Sequence, residues 1–414
     1  MGSDKRCCTA LERSEIVEQA ARLPLVLLKR QASRLCYVLG ITIMSELQKT
    51  PFHEWHVANG GRMVEFGGWH MPVQYTSIIE EHHAVRRAAG LFDIAHMGRL
   101  RFTGPDVVRF LDHLLTNDVA SLKLGQVRYS LVTNDAGGVL DDVLVYRFES
   151  CHMLVVNASN RLKIVDWIER HRGGFDVRVE DLTLEWSMIA LQGPRAIELI
   201  SAMTTTDVAS LKYYFASETN VLDVPSIVSR TGYTGEDGVE VMLPNAHGQR
   251  IWDELIERGR SVGLVACGLG CRDTLRLEAA MPLYGHELSE STDPITAGLS
   301  FAVKLTSKEF IGKSALLNKP QPPAKRRVGV VLSGRRIARE GSQIFAVGTA
   351  VDSSNASPIG EVTSGTFSPT LEKSIAMAYL TRDAAVAGSS IEVDVRGKRE
   401  SATIVDLPFY HRAT

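Results

Sequence analysis

Asn134-Asp-Ala-Gly-Gly-Val-Leu-Asp-Asp-Val-Leu-Val-Tyr146 is the stretch on which the reading of this chain turns. Asn, Asp and two adjacent glycines make a turn, because each tolerates backbone conformations that other residues avoid. The apolar run after them predicts a strand over residues 139–148. Side chains alternate along a strand. Leu140, Asp142, Leu144, Tyr146 and Phe148 are therefore expected on one face, and Val139, Asp141, Val143, Val145 and Arg147 on the other. Both faces are largely apolar, which predicts cover on both sides. An isolated ionised carboxylate in such a place costs on the order of several kcal/mol unless it is paired or hydrogen-bonded. One aspartate can have a structural purpose, capping a loop or pairing with Arg128 or Arg272. Two together are harder to explain that way. A carboxylate facing a pocket can act as a general acid or base, or orient a ligand amine.

Other polar residues recur at strand positions further out. Asn157 follows Leu154-Val155-Val156, Glu240 sits between Val239 and Val241, and Tyr129 follows Gln126-Val127-Arg128. Each alone is more often a satisfied core polar group than a ligand contact. The loop Ser229-Arg-Thr-Gly-Tyr-Thr-Gly-Glu-Asp-Gly238 has the spacing Gly-x-x-Gly-x-x-Gly. It lacks the Lys-Ser/Thr ending of a phosphate loop. It reads as a tight turn that brings Tyr233 and Glu240 to a pocket.

The surrounding elements mix helices and strands. Ser77 with Glu80 forms a capping-box pattern that starts a helix over residues 76–89, with Gly90 as its stop. Helices are also expected over 195–201 and 249–258, and strands over 100–102, 153–156 and 239–243. This is an α+β pattern. Asn318-Lys-Pro-Gln-Pro-Pro-Ala324 reads as a linker, since proline supports neither helix nor sheet interiors. Beyond it, short strands at 327–332, 391–395 and 402–405 predict a small β-barrel or sandwich. The expected division is an extension over 1–43, an α+β region over 44–317, the linker over 318–324 and the barrel over 325–414. The extension is expected to be poorly ordered, with Met44 as the true start.

Composition narrows the function. The chain has 414 residues, a net charge of -2 and 44% hydrophobic residues, values of a globular protein without the basic excess of a nucleic-acid binder. No apolar run is long enough to cross a membrane. The six cysteines include no Cys-x-x-Cys pair, so neither a disulfide framework nor a zinc site is expected, and a reducing compartment fits. Adjacent His82 and His83 point apart on a helix and cannot chelate together. No metal is expected.

The motifs, taken in order, resemble the glycine cleavage T-protein family from about Thr50 to about Tyr410. They include Gly67-Gly-Trp-His-Met-Pro-Val-Gln-Tyr75, Leu91-Phe-Asp-Ile-Ala-His-Met97, Gly137-Gly-Val-Leu-Asp-Asp142, Leu191-Gln-Gly-Pro194, Arg230-Thr-Gly-Tyr-Thr-Gly-Glu-Asp-Gly238, Gly268-Leu-Gly-Cys-Arg-Asp-Thr-Leu-Arg-Leu-Glu278 and Thr363-Ser-Gly-Thr-Phe-Ser-Pro-Thr370. The resemblance implies a three-domain, cloverleaf-like α+β fold with a C-terminal β-barrel and a central folate channel. It implies a tetrahydrofolate-dependent aminomethyltransferase served by a lipoylated H-protein and linked to the P- and L-proteins. The setting would be the bacterial cytoplasm, or the mitochondrial matrix in a eukaryote. Carried over, Asp142 becomes the key carboxylate near the folate amine, with Asp141 as its support. Glu240 would take the pterin ring, Arg272 would contact folate, and Tyr129, Leu144, Tyr146, Val155, Asn157 and Tyr233 would form the wall. Tyr213 or Tyr214 would line the folate path, and Arg412 could add a C-terminal contact. Cys271 stands where the family usually has a small Ala. Two rivals remain: another tetrahydrofolate-dependent demethylase on the same fold, and a non-catalytic folate-binding protein.

Overall fold

Two antiparallel-dominated sheets stack on one another, and a closed barrel completes the molecule. The computed structural model describes residues 46–349 and 357–412. The expectations for residues 1–43 and for Met44 lie outside them. Gln48–Thr414 forms one compact unit.

The first sheet has five strands in the order Val127–Thr133, Val139–Arg147, His152–Val156, Gly98–Thr103 and Arg178–Asp181. The second has six: Ala216–Val221, Val224–Ser229, Gly238–Pro244, Trp186–Gln192, Ala89–Asp93 and Leu264–Cys267. Only the last pairs in parallel. Tyr146, Met153 and Val155 of the first sheet meet Phe92, Met188 and Met242 of the second in one buried cluster. On its other face, the first sheet packs Val143 and Val145 against helices Val107–Leu114 and Arg161–His171. The second sheet is covered by helix Asn245–Gly259, whose Ile251, Trp252 and Leu255 are fully buried. Each such side chain contributes about 1.5–3 kcal/mol relative to exposure. The strand with the paired aspartates is thus covered on both faces, as its composition predicts.

Strict alternation fails at one point. The pairing register shifts between Val132 and Thr133, which oppose Asp141 and Val139. Leu140 is the extra residue of this bulge. It joins the cluster of Val143 and Val145, while Val139 packs with Leu131 and Leu299. The two residues exchange the faces that alternation assigns them, because a bulge places one residue more on the bulged strand. From Asp141 onward the alternation holds.

The capping box works as read at its start: Glu80 N–H donates to Ser77 Oγ at 3.2 Å, and the helix runs Ile78–Arg87. Gly90 is not its stop. It lies inside strand Ala89–Asp93, where a Cβ would meet Val85 Cγ2 at 2.4 Å and Cys267 Sγ at 2.7 Å. Close helix–sheet packing is what requires glycine there.

The barrel closes in the order Lys325–Leu332, Lys373–Thr381, Gly360–Ser368, Gln343–Ala346, Ser390–Asp394 and Arg399–Val405. Closure leaves no unpaired edge. No helix among the described residues is long and apolar enough to cross a membrane.

Candidate active site

At the rim where the sheets meet, the side chains stop short of filling the space. They leave a cavity of about 400 Å³. Asp142, Leu144, Val155 and Asn157 come from the first sheet and its following turn, Met188 and Glu240 from the second, and Tyr214 from the turn before its strand Ala216–Val221. Tyr129, Tyr233 and Arg272 close the wall.

Asp142 and Asp141 do different things. Asp142 faces the cavity; its Oδ2 accepts from Tyr129 Oη at 3.1 Å, and its Oδ1 from Asn157 Nδ2 at 2.9 Å. Asp141 is fully buried behind it. Its Oδ2 accepts from the Asn157 backbone N–H at 3.0 Å, and its Oδ1 from Asn157 Nδ2 at 2.8 Å and Asn160 Nδ2 at 2.6 Å. One amide therefore grips both carboxylates. Neither arginine suggested by the sequence pairs with them. Arg128 donates to the Asp118 carbonyl and to Ser121 Oγ, and Arg272 lies over the Tyr233 ring at 4.7 Å. Burial pushes both aspartates above the usual carboxylate range, and the Asp142 charge pushes Asp141 further. The strand thus offers the cavity a carboxylate with no cation of its own.

Glu240 and Arg272 also line the cavity, and their charges act on each other. Burial also raises Glu240, although Thr231 Oγ1 donates to its Oε2 at 2.5 Å. Arg272 is half-buried, but its Nη1 is fully enclosed and has no partner among the described residues. An unsatisfied buried guanidinium donor is costly. Its position on the wall suits a ligand acceptor. The loop that presents Thr231 and Tyr233 is tight because Gln192 threads it: a Cβ at Gly232 would lie 1.9 Å from Gln192 Oε1. Tyr233 Oη donates to the Pro282 carbonyl at 2.5 Å, which fixes the ring over Arg272.

Three residues assigned from the sequence do not line the cavity. Tyr146 is fully buried against Phe148 in the sheet-to-sheet core. Tyr213 is 44% exposed and packs edge-on against Tyr214 at 4.9 Å. Arg412 lies 3.6 Å from Asp237 and 6.0 Å from the Tyr213 ring, outside the wall.

The wall also holds residues that the sequence reading did not assign. Phe66 and Gly67 reach it from the tip of the hairpin Arg62–Phe66/Trp69–Gln74. His96 and Met97 reach it from a loop held by the buried Arg99, which donates to the carbonyls of Ala95, Met97, Thr183 and Trp186. Gly67, His96 and Met97 lie in motifs quoted above, and Phe66 directly precedes the first of them. The signal was present, but nothing local showed that a hairpin tip and a loop would meet at a sheet rim. Phe301, 64% exposed, stacks on Tyr129 at 5.9 Å.

Among the described residues, the possible metal-ligand atoms that cluster belong to Glu81, Cys267 and Cys271, all within 4.8 Å of one another. The Glu81 oxygens already accept from the backbone N–H groups of Tyr75, Thr76 and Gly268. The carboxylate there ties a helix to a strand end.

The comparisons with known proteins agree with this architecture. Residues 52–307 match the GCVT N-terminal domain, and residues 325–411 match the glycine cleavage T-protein C-terminal barrel domain. An aminomethyltransferase of Desulfitobacterium hafniense is 44% identical over 371 residues, 89% of this chain and 100% of the relative. One of Moorella thermoacetica is 46% identical over 371 residues, 89% of this chain and 99% of the relative. The crystal structure of the glycine cleavage system aminomethyltransferase T from Bartonella henselae superimposes with a TM-score of 0.81 at 34% identity, covering 88% of this chain and 99% of that one. The family models, the relatives and the solved structure meet on one assignment: this chain belongs to the glycine cleavage T-protein family of aminomethyltransferases.

Proposed function

We propose that the chain transfers the one-carbon unit of an aminomethyl group, carried on the lipoyl sulfur of H-protein, to tetrahydrofolate. The carbon–sulfur bond breaks and leaves a thiol on the dihydrolipoyl arm. The carbon–nitrogen bond breaks and releases ammonia. Two bonds form from the carbon to N5 and N10 of the folate, whose two protons go to sulfur and to ammonia. The products are 5,10-methylenetetrahydrofolate, ammonia and dihydrolipoyl H-protein. H-protein is the direct partner, with the P- and L-proteins of the same system acting before and after. A bacterial cytoplasm suits this chemistry, or the matrix if the source is eukaryotic.

The observation that carries the reading is Asp142: a half-buried carboxylate on the cavity wall, held by Tyr129 and Asn157 and by no cation among the described residues. It orients the folate amine and stabilises the iminium-like carbon as ammonia departs, because a fixed negative charge in a dry site needs no reorganisation. Asp141 supports it from behind. The carboxylate of Glu240 suits the amino and ring N–H groups of a pterin. Arg272, Tyr129, Leu144, Val155, Asn157, Tyr214 and Tyr233 form the remaining folate contacts.

The test is ammonia release from aminomethylated H-protein, with and without tetrahydrofolate. Folate-dependent release is expected. Release that ignores folate overturns the proposal. Folate binding without release points to a non-catalytic binder, and demethylation of a free methylamine without H-protein points to the other rival.

A further inference from the structure

The transfer requires a proton to move, and the carboxylate beside the reacting carbon is a poor carrier for it. Asp142 stabilises a cationic carbon only while it is itself charged, so a proton lost by the folate has to rest elsewhere. Burial raises the phenols of Tyr129, Tyr214 and Tyr233, which therefore do not ionise near neutrality. Two histidines belong to the cavity wall. The side chain of His286 is 37% exposed, and its Nδ1 lies 3.0 Å from Glu340 Oε2. His96 is only 2% exposed, and its Nδ1 is fully enclosed without a hydrogen-bond partner among the described residues.

The fold fixes this second imidazole from several sides. Arg99 donates to the carbonyls of Ala95 and Met97, the residues before and after it. Asp93 Oδ1 accepts from the Ala95 N–H at 2.8 Å, and Asp93 Oδ2 accepts from His56 Nε2 at 2.9 Å. The Phe66 ring stands edge-on to His96 at 5.6 Å. Gly67, next along that hairpin tip, abuts the turn that follows Asn157: a Cβ on it would lie 3.4 Å from the Ser159 backbone nitrogen. One hairpin tip thus links His96 to the turn whose amide holds Asp142. Burial pushes the imidazole down to about 4; the Asp93 charge opposes this, and the Arg272 and Arg99 charges add to it. The ring is therefore neutral near pH 7, with one nitrogen able to accept a proton. Once protonated in such a place, it gives the proton up readily.

Resting on the transfer reading above, we propose that His96 is the proton carrier of the reaction, a role that the aspartate pair does not fill. The lone pair of a folate nitrogen forms the bond to the one-carbon unit. The electrons of its N–H bond stay on that nitrogen as the proton passes to the imidazole. The carbon–nitrogen electron pair leaves with the amine, and the imidazolium protonates it, so that it departs as ammonia. His96 ends the cycle neutral, and the second folate proton goes to sulfur.

The experiment measures single-turnover ammonia release from aminomethylated H-protein, with folate affinity titrated separately, in the full-length enzyme and in its His96→Gln and His96→Ala variants. Glutamine keeps a hydrogen-bonding side chain that cannot carry a proton. Both variants should therefore lose about a hundredfold in rate, with folate affinity within about threefold of wild type. Imidazole added to His96→Ala should raise its rate at least about tenfold, because it returns a base to the vacated space. A rate within about threefold of wild type in either variant overturns the proposal. So does a loss of folate affinity as large as the loss of rate, which would make His96 a binding residue. A folded His96→Ala enzyme that imidazole does not speed up overturns it in favour of a ring that only shapes the wall. If the alanine variant does not fold, His96→Gln decides alone. A wild-type enzyme that releases no ammonia with folate present is a different result: it removes the transfer reading itself.

Discussion

Two carboxylate sites in this fold, one at Glu278 and one at Asp141 and Asp142, have opposite surroundings. Glu278, at the end of helix Leu269–Glu278, is completely buried, and a dense shell of donors surrounds it. Arg86 Nη2 donates at 2.8 Å, Ser368 Oγ at 2.5 Å and Thr370 Oγ1 at 2.8 Å, and His82 Nε2 lies 3.3 Å away. Burial alone would raise the Glu278 carboxyl, but His82, Arg86 and Ser368 hold it down at about 2. This knot joins the α+β part to the barrel, and every charge in it is answered. Asp141 and Asp142 have amides and one phenol for partners instead of cations, and both are pushed up. A buried acid answered by cations is a staple. One left without a cation beside a cavity is available to a substrate amine.

The largest effect should come from breaking the staple. Glu278→Ala leaves the Arg86 guanidinium buried with only Glu236 as an ionic partner. Losing one member of such a pair costs about 3–5 kcal/mol. Urea unfolding at neutral pH measures it. A loss below about 1 kcal/mol would show that the two carboxylate sites are not as different as their partners imply.

Asp142→Asn should behave in the reverse way. Stability at neutral pH does not fall, folate affinity stays within about tenfold, and transfer falls at least about a hundredfold. Single-turnover transfer and folate titration separate the two quantities. Unchanged transfer removes the assigned role.

A smaller effect tests the support behind Asp142. Asn160 touches Asp141 and lies outside the cavity wall. Asn160→Ala should lower kcat roughly tenfold and leave KM for folate unchanged, because a displaced Asp141 loosens the Asn157 amide that also holds Asp142. If KM rises and kcat is kept, Asn160 shapes binding and not the carboxylate.

Sequence reasoning reached the aspartate pair because alternation is local physics. It separated Asp142 from Asp141, and the cavity wall contains only the former. It could not see the bulge at Leu140, because a bulge depends on the partner strand's register. Tyr146 shows the same limit: it shares a face with Asp142, but the second sheet covers it before the rim is reached. Lys325-Arg-Arg327 reads as a short charged run at a linker end, and only its pairing with strand Lys373–Thr381 sets Arg382 beside it.

The smallest effect concerns pH, and it has opposite signs at the two sites. Glu278 is held at about 2, below its ordinary 4.5. Its contribution to stability is complete above about pH 4.5 and is lost as pH falls from there toward 2. The aspartates are raised above 3.8, so the folded chain keeps protons that the unfolded chain gives up. Their contribution favours the fold at low pH and declines as pH rises through their folded values. Asp142→Asn should therefore flatten the stability profile on the alkaline side of 3.8, whereas Glu278→Gln should flatten it between 4.5 and 2. Thermal midpoints of both variants across pH decide it. Profiles that change in the same window would mean that one electrostatic environment covers both sites, and the distinction between staple and site would fail.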